Sequence, residues 1–431
     1  MEIKRDRYLN QLIGFAWNGQ VKVVTGIRRC GKSYLLRTLY KKHLLSSGVA
    51  EDRIISVELD LARDIRYRNP LELAAYVRGR TEGSNEKFYL FVDEIQMSDE
   101  VPNPYNEAGK AVTFYDALND LRSLPNLDVY VTGSNSRMLS SDVLTEFRGR
   151  SDEVRVHPLS FAEYYAAVGG DKSGAFDNYA FFGGMPLVLS RPDDEARMAY
   201  LKSLFSEVYL KDIVERKRIA REDVLSDILD LLCSSVGSLT NPTNVSNAIN
   251  SVKLKRQERV SSNTVRAYMG YLEDAFLFSE CKRYDVKGKS YFDYPNKYYC
   301  EDIGLRNARI GFRQQEPTHI LENIVYNELV IRRAGVDIGV VYSNERKDGK
   351  LKHIAREIDF IASKGGKKVY IQSVYAMEND SKIEAETRPF GLIGDSFPKI
   401  VVRHDIRKRW YDENGVLNIG VVDFLLDDSL F

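Results

Sequence analysis

Between residues 20 and 165, stretches of consecutive apolar residues alternate with segments whose apolar positions recur every three or four residues. Consecutive apolar stretches are typical of strands buried on both faces, and the three-to-four spacing is typical of amphipathic helices. The predicted strands are QVKVVTG, RIISVELD, FYLFVDE, DVYVTGSN and DEVRVHPLS, and the helices between them include GKSYLLRTLYKKHLL, PLELAAYVRGR and TFYDALNDLRSL. Because strands separated by helices form parallel sheets that helices cover, we expect an α/β core here.

The pattern changes after residue 165, which predicts further domains. Residues 166–235 show mostly helical spacing, interrupted by FFGGMPLVL. Residues 236–310 combine short helical segments with the strand-like runs FLFSECKRYD and KYYCED. Residues 311–431 open with the predicted helix ILENIVYNELVIRRAG and continue with the β-runs EIDFIAS, KKVYIQSVY and KIVVRH. We therefore divide the chain into four segments: 1–165, 166–235, 236–310 and 311–431.

Composition narrows the class of protein. The chain has 431 residues, of which 43% are apolar and 29% charged, and its formal net charge is zero, so an acidic partner would have to meet a local basic surface. The four cysteines show no zinc-ligand spacing and fit a reducing compartment. With no signal-peptide pattern and no long apolar run, we expect a soluble cytoplasmic protein without a membrane partner.

A phosphate-binding motif lies directly after the first predicted strand. Gly26 to Ser33 match GxxxxGK[ST] at every fixed position, between a strand and a helix as this motif requires. Glycines let backbone N–H groups approach phosphate oxygens, Lys32 would contact the β- and γ-phosphates, and Ser33 would bind Mg²⁺. The predicted nucleotide-binding residues are Gly26, Ile27, Arg28, Arg29, Cys30, Gly31, Lys32, Ser33 and Tyr34. ATP with Mg²⁺ is the expected ligand. We expect Cys30 to be a small buried side chain, and a redox switch is the alternative interpretation.

Two acidic residues end the apolar run FYLFVDE. Asp93 and Glu94 fall at the carboxyl end of a predicted central strand, where open α/β sheets bind ligands. We expect Asp93 to hold Mg²⁺ through water and Glu94 to polarise the attacking water, which indicates hydrolysis rather than binding alone.

Further candidates follow the strand DVYVTGSN. Ser134 or Asn135 would sense the γ-phosphate, although a turn or helix cap is the alternative. Arg148 and Arg150, in FRGRS, are candidates for an arginine finger that stabilises the transition state.

Taken in order, the segments GIRRCGKS, LFVDEIQ, VTGSNSRML, FRGRS, HPLSFAEY, FFGGMPLVL and LKDIVER resemble the prokaryotic AAA+-type P-loop ATPases that carry a C-terminal nuclease-like domain of unknown function. The resemblance extends over essentially the whole chain. It implies a five-stranded P-loop core, a helical lid, a winged helix-turn-helix and a C-terminal α/β domain of the restriction-endonuclease type. It does not say which arginine is the finger, or whether that arginine acts within or between subunits, so an oligomer stays possible.

The segment 236–310 itself has the pattern of a helix-turn-helix followed by a wing. Ser261 and its neighbours would cap a helix whose Val265, Met269 and Leu272 face inward, and a hairpin would turn near Gly288. A local excess of basic residues makes this the best candidate for DNA contact. The predicted DNA-binding residues are Lys253, Lys255, Arg256, Arg259 and Arg266. A winged helix used for packing or for a protein partner is the alternative.

The C-terminal segment has an incomplete set of nuclease residues. Nucleases of the restriction type use an acid from a helix, an Asp on one strand and Glu-x-Lys on the next. Here Glu322, Asp359 and Gln372 fall at corresponding places and form a weak candidate metal site, but Val374 stands where the lysine is expected. A purely structural role for the two acids is the alternative.

Three hypotheses follow. The leading one is a Mg²⁺-dependent ATPase whose nucleotide state is coupled to the winged helix and a degenerate nuclease-like domain, acting on DNA. The second is an ATP-gated switch that contacts a protein partner with little turnover. The third is an active DNA nuclease fuelled by ATP.

Overall fold

The computed structural model describes residues 2–106, 109–133, 149–252, 259–313, 316–347, 350–377, 380–406 and 408–430. The chain divides into two compact units: residues 1–157 with 274–276, and residues 158–273 with 277–431. Three of the four predicted segments thus fall largely or wholly within the second unit, and the finer four-part division stays a prediction.

The first unit is built on a parallel sheet of five described strands. These are β1 (Val21–Thr25), β2 (Ile54–Glu58), β3 (Phe88–Asp93), β4 (Leu127–Thr132) and β5 (Ser151–Arg155). Their order is β2-β3-β4-β1-β5, and every neighbouring pair is parallel. Strands β1, β3 and β4 are buried along their whole length, as their mostly apolar sequences predict. Because the strands are parallel, the carboxyl ends of β3, β4 and β1 lie side by side. The phosphate-loop motif follows β1, and Asp93 ends β3.

Two of the helices of the first unit begin at side-chain caps. The helices are α1 (Asp6–Phe15), α2 (Lys32–Tyr34), α3 (Lys41–Ser46), α4 (Pro70–Thr81) and α5 (Phe114–Leu121), with a π-helical segment, Leu35–Tyr40, joining α2 to α3. Helix α4 begins at Pro70 after an Asn69 cap, and α5 begins with a capping box between Thr113 and Asp116. The predicted helix GKSYLLRTLYKKHLL is thus present, with its middle turns widened to i→i+5 bonding.

The second unit begins with helices, as the sequence pattern predicts. They are α6 (Phe161–Val168), α7 (Lys172–Phe182), α8 (Asp194–Ser203), α9 (Lys211–Lys217), α10 (Glu222–Ser234), α11 (Pro242–Val252), α12 (Ser262–Asp274), α13 (Ile303–Arg309) and α14 (Pro317–Ile331). A second π segment, Leu204–Leu210, joins α8 to α9. Helix α12 begins after Ser261, whose Oγ accepts the Thr264 N–H at 3.1 Å. Its Val265, Met269 and Leu272 are buried, as their spacing predicts.

A second sheet contains eight of the strands that the structure describes. The strands of the second unit are β6 (Phe278–Cys281), β7 (Arg283–Asp285), β8 (Ser290–Tyr291), β9 (Lys297–Cys300), β10 (Gly335–Lys347), β11 (Lys350–Lys364), β12 (Lys367–Val374), β13 (Lys399–Arg403), β14 (Trp410–Tyr411) and β15 (Leu417–Gly420). The order is β14-β15-β13-β12-β11-β10-β7-β8, and helices α15 (Asp380–Gly391) and α16 (Val421–Leu426) belong to the same region.

The hairpin predicted near Gly288 is formed by β7 and β8, but it does not stand alone. Strand β7 pairs in parallel with β10, so the hairpin forms one end of the large sheet. Strands β6 and β9 form a separate antiparallel pair. The sequence pattern also missed β10, because its alternation is weak, and α15, because few of its positions are apolar. The wing-like segment is therefore part of the same sheet as the C-terminal strands.

Among the described residues, no helix is both long and apolar enough to cross a membrane.

Candidate functional site

The phosphate loop has a backbone that requires glycine at two positions. Gly26 has a φ of 131°, and a Cβ placed on it would lie 1.9 Å from the carbonyl oxygen of Val156. Gly31 has a φ of 105° and directly precedes the helix that begins at Lys32. L side chains rarely adopt such φ values, so these glycines let the chain turn tightly between β1 and the helix. The loop thereby brings the free N–H groups of a helix amino terminus into position for an anion.

Lys32 is held over this loop. Its side chain is buried, and its Nζ donates hydrogen bonds to the carbonyl oxygens of Gly26 at 3.0 Å and Ile27 at 3.1 Å. The ammonium therefore lies at the centre of the loop, where a positive charge would contact the β- and γ-phosphates of a nucleotide.

Ser33 and Asp93 are brought together from two different elements. The Ser33 hydroxyl donates to Asp93 Oδ1 at 3.0 Å, and the Thr132 hydroxyl at the end of β4 donates to the same oxygen. A hydroxyl and a buried carboxylate at this distance are hard oxygen ligands of the kind that Mg²⁺ prefers. The residues present therefore fit a magnesium ion between the loop and β3.

Glu94 follows Asp93 in a left-handed backbone conformation. Its φ is 56°, and its N–H donates to the Thr132 hydroxyl at 3.0 Å. Its carboxylate accepts a hydrogen bond from the Gln96 side-chain amide. Left-handed conformations of non-glycine residues are uncommon and concentrate at functional sites. Thr132, which contacts both acidic residues, was missed by the sequence reasoning, although it ends the same apolar run that suggested Ser134 and Asn135.

The remaining loop residues differ in exposure. Ile27 and Cys30 are buried, Arg29 is exposed, and Arg28 and Tyr34 are half-buried. The Cys30 thiol donates to the Val156 carbonyl at 3.2 Å, which fits a small buried side chain better than a redox switch. Arg5, a residue that no sequence motif indicated, donates to the carbonyl oxygens of Cys30 and His157 at 3.2 and 2.6 Å. It ties the outer side of the loop to the chain that follows β5.

Three of the predicted nucleotide-site residues, Ser134, Asn135 and Arg148, lie outside the described residues. Arg150 is exposed and immediately precedes β5, where its carbonyl accepts the N–H of Val21. Because β5 runs parallel to β1, Arg150 lies at the amino-terminal ends of these strands, whereas the phosphate loop follows the carboxyl end of β1. At about 3.3 Å per strand residue, the two positions are separated by the full length of β1. The structure therefore does not bring Arg150 to the loop of its own chain, and a role at a second copy stays a prediction.

The predicted DNA-contacting segment is described in part. Lys253, Lys255 and Arg256 lie outside the described residues, whereas Arg259 and Arg266 are exposed. Arg266 lies on α12, with its guanidinium carbon 5.4 Å from the centre of the Tyr294 ring.

The three residues of the weak second metal site lie on neighbouring elements, and each contacts protein groups. Glu322 Oε1 accepts hydrogen bonds from Lys297 Nζ at 2.8 Å and from the Tyr299 hydroxyl at 2.6 Å. Asp359 accepts from the N–H and hydroxyl of Ser373 at 2.8 and 2.9 Å. The Gln372 Nε2 donates hydrogen bonds to Asp359 Oδ1 at 3.3 Å and to Glu386 Oε2 at 2.9 Å. No group of three or more His, Cys, Asp or Glu in the described part of the chain is arranged to hold a metal ion.

Lys297, on β9, introduces a positive charge that the sequence reasoning did not place here. Its Nζ also lies 2.7 Å from Glu357, and it is buried. Burial alone lowers the pKa of Lys297, but the carboxylates of Glu322, Asp359 and Glu357 outweigh it and raise that pKa above its usual value. Burial, followed by the neighbouring Glu322, raises the pKa of Asp359 to about 8. Val374, at the position where a nuclease lysine was expected, packs in the apolar core instead.

Comparison with known proteins agrees with the first unit's geometry. Residues 18–165 match the family described as AAA domain, and residues 173–316 match a domain of unknown function, DUF8612. An uncharacterized protein of Haemophilus influenzae is 31% identical over 432 residues, covering 98% of both chains. An uncharacterized protein of Methanocaldococcus jannaschii is 26% identical over 390 residues, covering 86% of this chain and 78% of its own.

Among solved structures, a Walker-type ATPase of Pyrococcus abyssi is similar with a TM-score of 0.46 and 16% identity, over 72% of this chain and 96% of that one. The chain belongs to the same family as the Haemophilus influenzae protein, and its residues 18–165 match the AAA domain family.

Proposed function

We propose that this protein is a Mg²⁺-dependent ATPase. The observation that carries the proposal is the contact between Ser33 Oγ and Asp93 Oδ1 at 3.0 Å, where Ser33 is the residue that directly follows the buried Lys32. The phosphate-binding loop, the Ser33 hydroxyl and the carboxylate at the end of β3 thereby lie together. A match to the loop motif in the sequence would not by itself bring this carboxylate to the loop.

Each residue of this site has a distinct task in the proposal. Lys32 and the loop N–H groups bind the β- and γ-phosphates, and Ser33 and Asp93 hold Mg²⁺. Held by these two residues, Mg²⁺ would supply positive charge to the phosphate oxygens. Glu94 orients and polarises the attacking water, and Thr132 fixes the positions of the two acids through its hydroxyl.

The test separates binding from turnover. We expect Lys32→Ala to lose nucleotide binding and hydrolysis together, because the phosphates lose their main charge partner. We expect Glu94→Gln to keep nucleotide binding and lose at least about 100-fold in turnover, the range typical of a group that assists proton transfer. The control is Lys42→Ala, an exposed lysine on α3 that pairs with Glu2. Hydrolysis by Lys32→Ala equal to that of the Lys42→Ala protein would refute the proposal.

The proposal extends to DNA as the partner that the ATPase acts on. Support comes from the capped helix α12 with its buried inner face, the following hairpin, and the exposed Arg259 and Arg266. Phosphate contacts make binding depend on salt, and removing one contact lowers the slope of log K against log salt by about one. We expect Arg266→Ala to weaken duplex binding and reduce this slope, whereas the exposed Lys172→Ala changes neither.

The two other hypotheses are outcomes of the same measurements. Turnover and binding that are indifferent to single-stranded and duplex DNA would favour a nucleotide-gated switch with a protein partner. For nuclease activity, we expect plasmid to stay intact with Mg²⁺ or Mn²⁺, because Glu322 and Asp359 already bind protein groups and Val374 is apolar. Cleavage that is lost in Asp359→Ala would establish an active nuclease instead.

A further inference from the structure

A positive charge from the phosphate-loop helix approaches the carboxylate that we assign to Mg²⁺. Arg37 lies one helical turn beyond Ser33, and its Nη1 is 3.9 Å from Asp93 Oδ2. The other oxygen of Asp93 already accepts the hydroxyls of Ser33 and Thr132. Asp93 is therefore contacted by neutral donors on one oxygen and faced by a guanidinium on the other.

Glu58 holds this guanidinium from the other side. Glu58 ends β2 and stands directly beside Asp93 in the register of the parallel strands. Its Oε2 forms an ion pair with Arg37 Nη1, and its Oε1 forms one with Arg63. The Glu58 side chain is only 7% exposed, whereas that of Arg37 is 39% exposed. Arg37 is thus the more exposed member of the pair, and the same Nη1 that pairs with Glu58 is the atom that lies 3.9 Å from Asp93.

The surroundings leave room for the guanidinium to move. Ser33, Arg37, Glu58 and Arg63 line a cavity of about 380 Å³ between the helix and β2. Because Arg37 and Glu58 both line this cavity, empty space adjoins the guanidinium and the carboxylate that holds it.

We propose that Arg37 is a positioning residue that competes with Mg²⁺ for Asp93, and that Glu58 sets the strength of this competition by holding Arg37 away. A cation beside a carboxylate stabilises its charged form, and the same cation repels a second cation that binds there. The inference rests on the proposed nucleotide function, since it concerns the metal requirement of that same site. In this proposal, the charges of Asp93, Arg37 and Glu58 together set the Mg²⁺ concentration that nucleotide binding needs.

The experiment measures nucleotide binding, not turnover. Binding of a fluorescent ATP analogue to the full chain is titrated with Mg²⁺ at constant ionic strength, and again in EDTA. We expect Arg37→Gln to lower the half-saturating Mg²⁺ concentration about two- to fivefold, because the guanidinium is 39% exposed and solvent screens its interaction with Asp93. We expect Glu58→Gln to raise it several-fold, because Arg37 is released towards Asp93. Binding in EDTA stays equal in both variants, since Lys32 and the loop are unchanged.

A matched control removes the same charge from the same helix. Lys42 lies on the continuation of the same helix, is exposed, does not line this cavity and pairs with Glu2 at 2.9 Å, so Lys42→Gln should leave the Mg²⁺ titration as in the wild type. Shifts of Arg37→Gln and Glu58→Gln in the same direction, or no shift in either, would overturn the inference while wild-type binding still responds to Mg²⁺. Wild-type protein that binds no nucleotide, or binds it without regard to Mg²⁺, would instead reject the proposed function itself.

Discussion

A buried ion pair between the central strands β1 and β4 provides the sharpest test of the energetics of the first unit. Lys22, on the central strand β1, is fully buried and forms an ion pair with Asp128 on β4. Asp128 also accepts the Trp17 N–H at 2.9 Å and the Tyr130 hydroxyl at 2.7 Å. The register of the sheet places Lys22 opposite Tyr130, so the ammonium also lies near that ring.

The perturbation is Lys22→Met, which removes the charge and keeps the length of the side chain. Removing one partner of a buried ion pair typically costs 3–5 kcal/mol, because the remaining charge is left without compensation. Asp128 keeps two neutral donors, so we expect the lower end, about 3 kcal/mol. Asp128→Asn alone should cost a similar amount, because Lys22 is then the uncompensated charge. The double variant should cost clearly less than the sum of the two single variants, since neither charge remains buried.

The assay uses one of the two tryptophans of the chain as a local reporter. In a Trp410→Phe background, Trp17 is the remaining tryptophan, and it lies beside Asp128 in the first unit. Its fluorescence is followed through urea unfolding for the parent, both single variants and the double variant. At a slope of about 2 kcal/mol per molar urea, a loss of about 3 kcal/mol moves the midpoint down by about 1.5 M. Single-variant effects that add within about 0.5 kcal/mol would show that the two charges are not coupled and would refute the reasoning.

Three further predictions follow from the same structure. Gly26→Ala should abolish nucleotide binding, because its Cβ would collide with the Val156 carbonyl, whereas Gly14→Ala, which has open space around it, should bind normally in the same fluorescence titration; normal binding by both variants would contradict the loop geometry. Burial raises the pKa of Asp359 to about 8, above the value of about 3.9 for an unfolded chain, so the folded state holds the extra proton and this group's contribution to stability is lost as pH rises towards 8. Asp359→Asn should therefore be more stabilising at pH 8 than at pH 5 in thermal unfolding, and an equal effect at both pH values would argue against the shift. A colorimetric thiol reagent at pH 8 should modify the native chain slowly and the urea-unfolded chain fast. The reason is that all four thiols (Cys30, Cys233, Cys281 and Cys300) are buried, and burial raises the pKa of Cys233 to about 12. Fast labelling of the native chain would contradict this prediction.

Much of the first unit can be predicted from local sequence because its central strands are parallel and covered on both faces. Such strands are mostly apolar, so FYLFVD and LDVYVT are recognisable without any knowledge of their neighbours. The phosphate loop is equally local, since glycines, lysine and serine at fixed spacing form it within eight residues. The carboxylate of Asp93 could be placed beside this loop because parallel strands end at a common edge. Five strands, their helices and the Ser33–Asp93 contact follow from these local features.

What the tertiary structure alone decides is which charges meet across long stretches of sequence. Nothing near Lys297 indicates that its ammonium pairs with Glu322, and nothing near Arg37 indicates Glu58. Lysines and arginines on surfaces and in buried pairs look alike in sequence, because the difference lies in the carboxylates that the fold brings to them. The pairing of β7 with β10 is decided in the same way, since a short strand carries too few side chains to specify its partner. Local sequence patterns thus determine most helices and strands and the phosphate loop. Non-local packing determines which charged side chains face each other around Asp93 in the first unit and around Lys297 in the second.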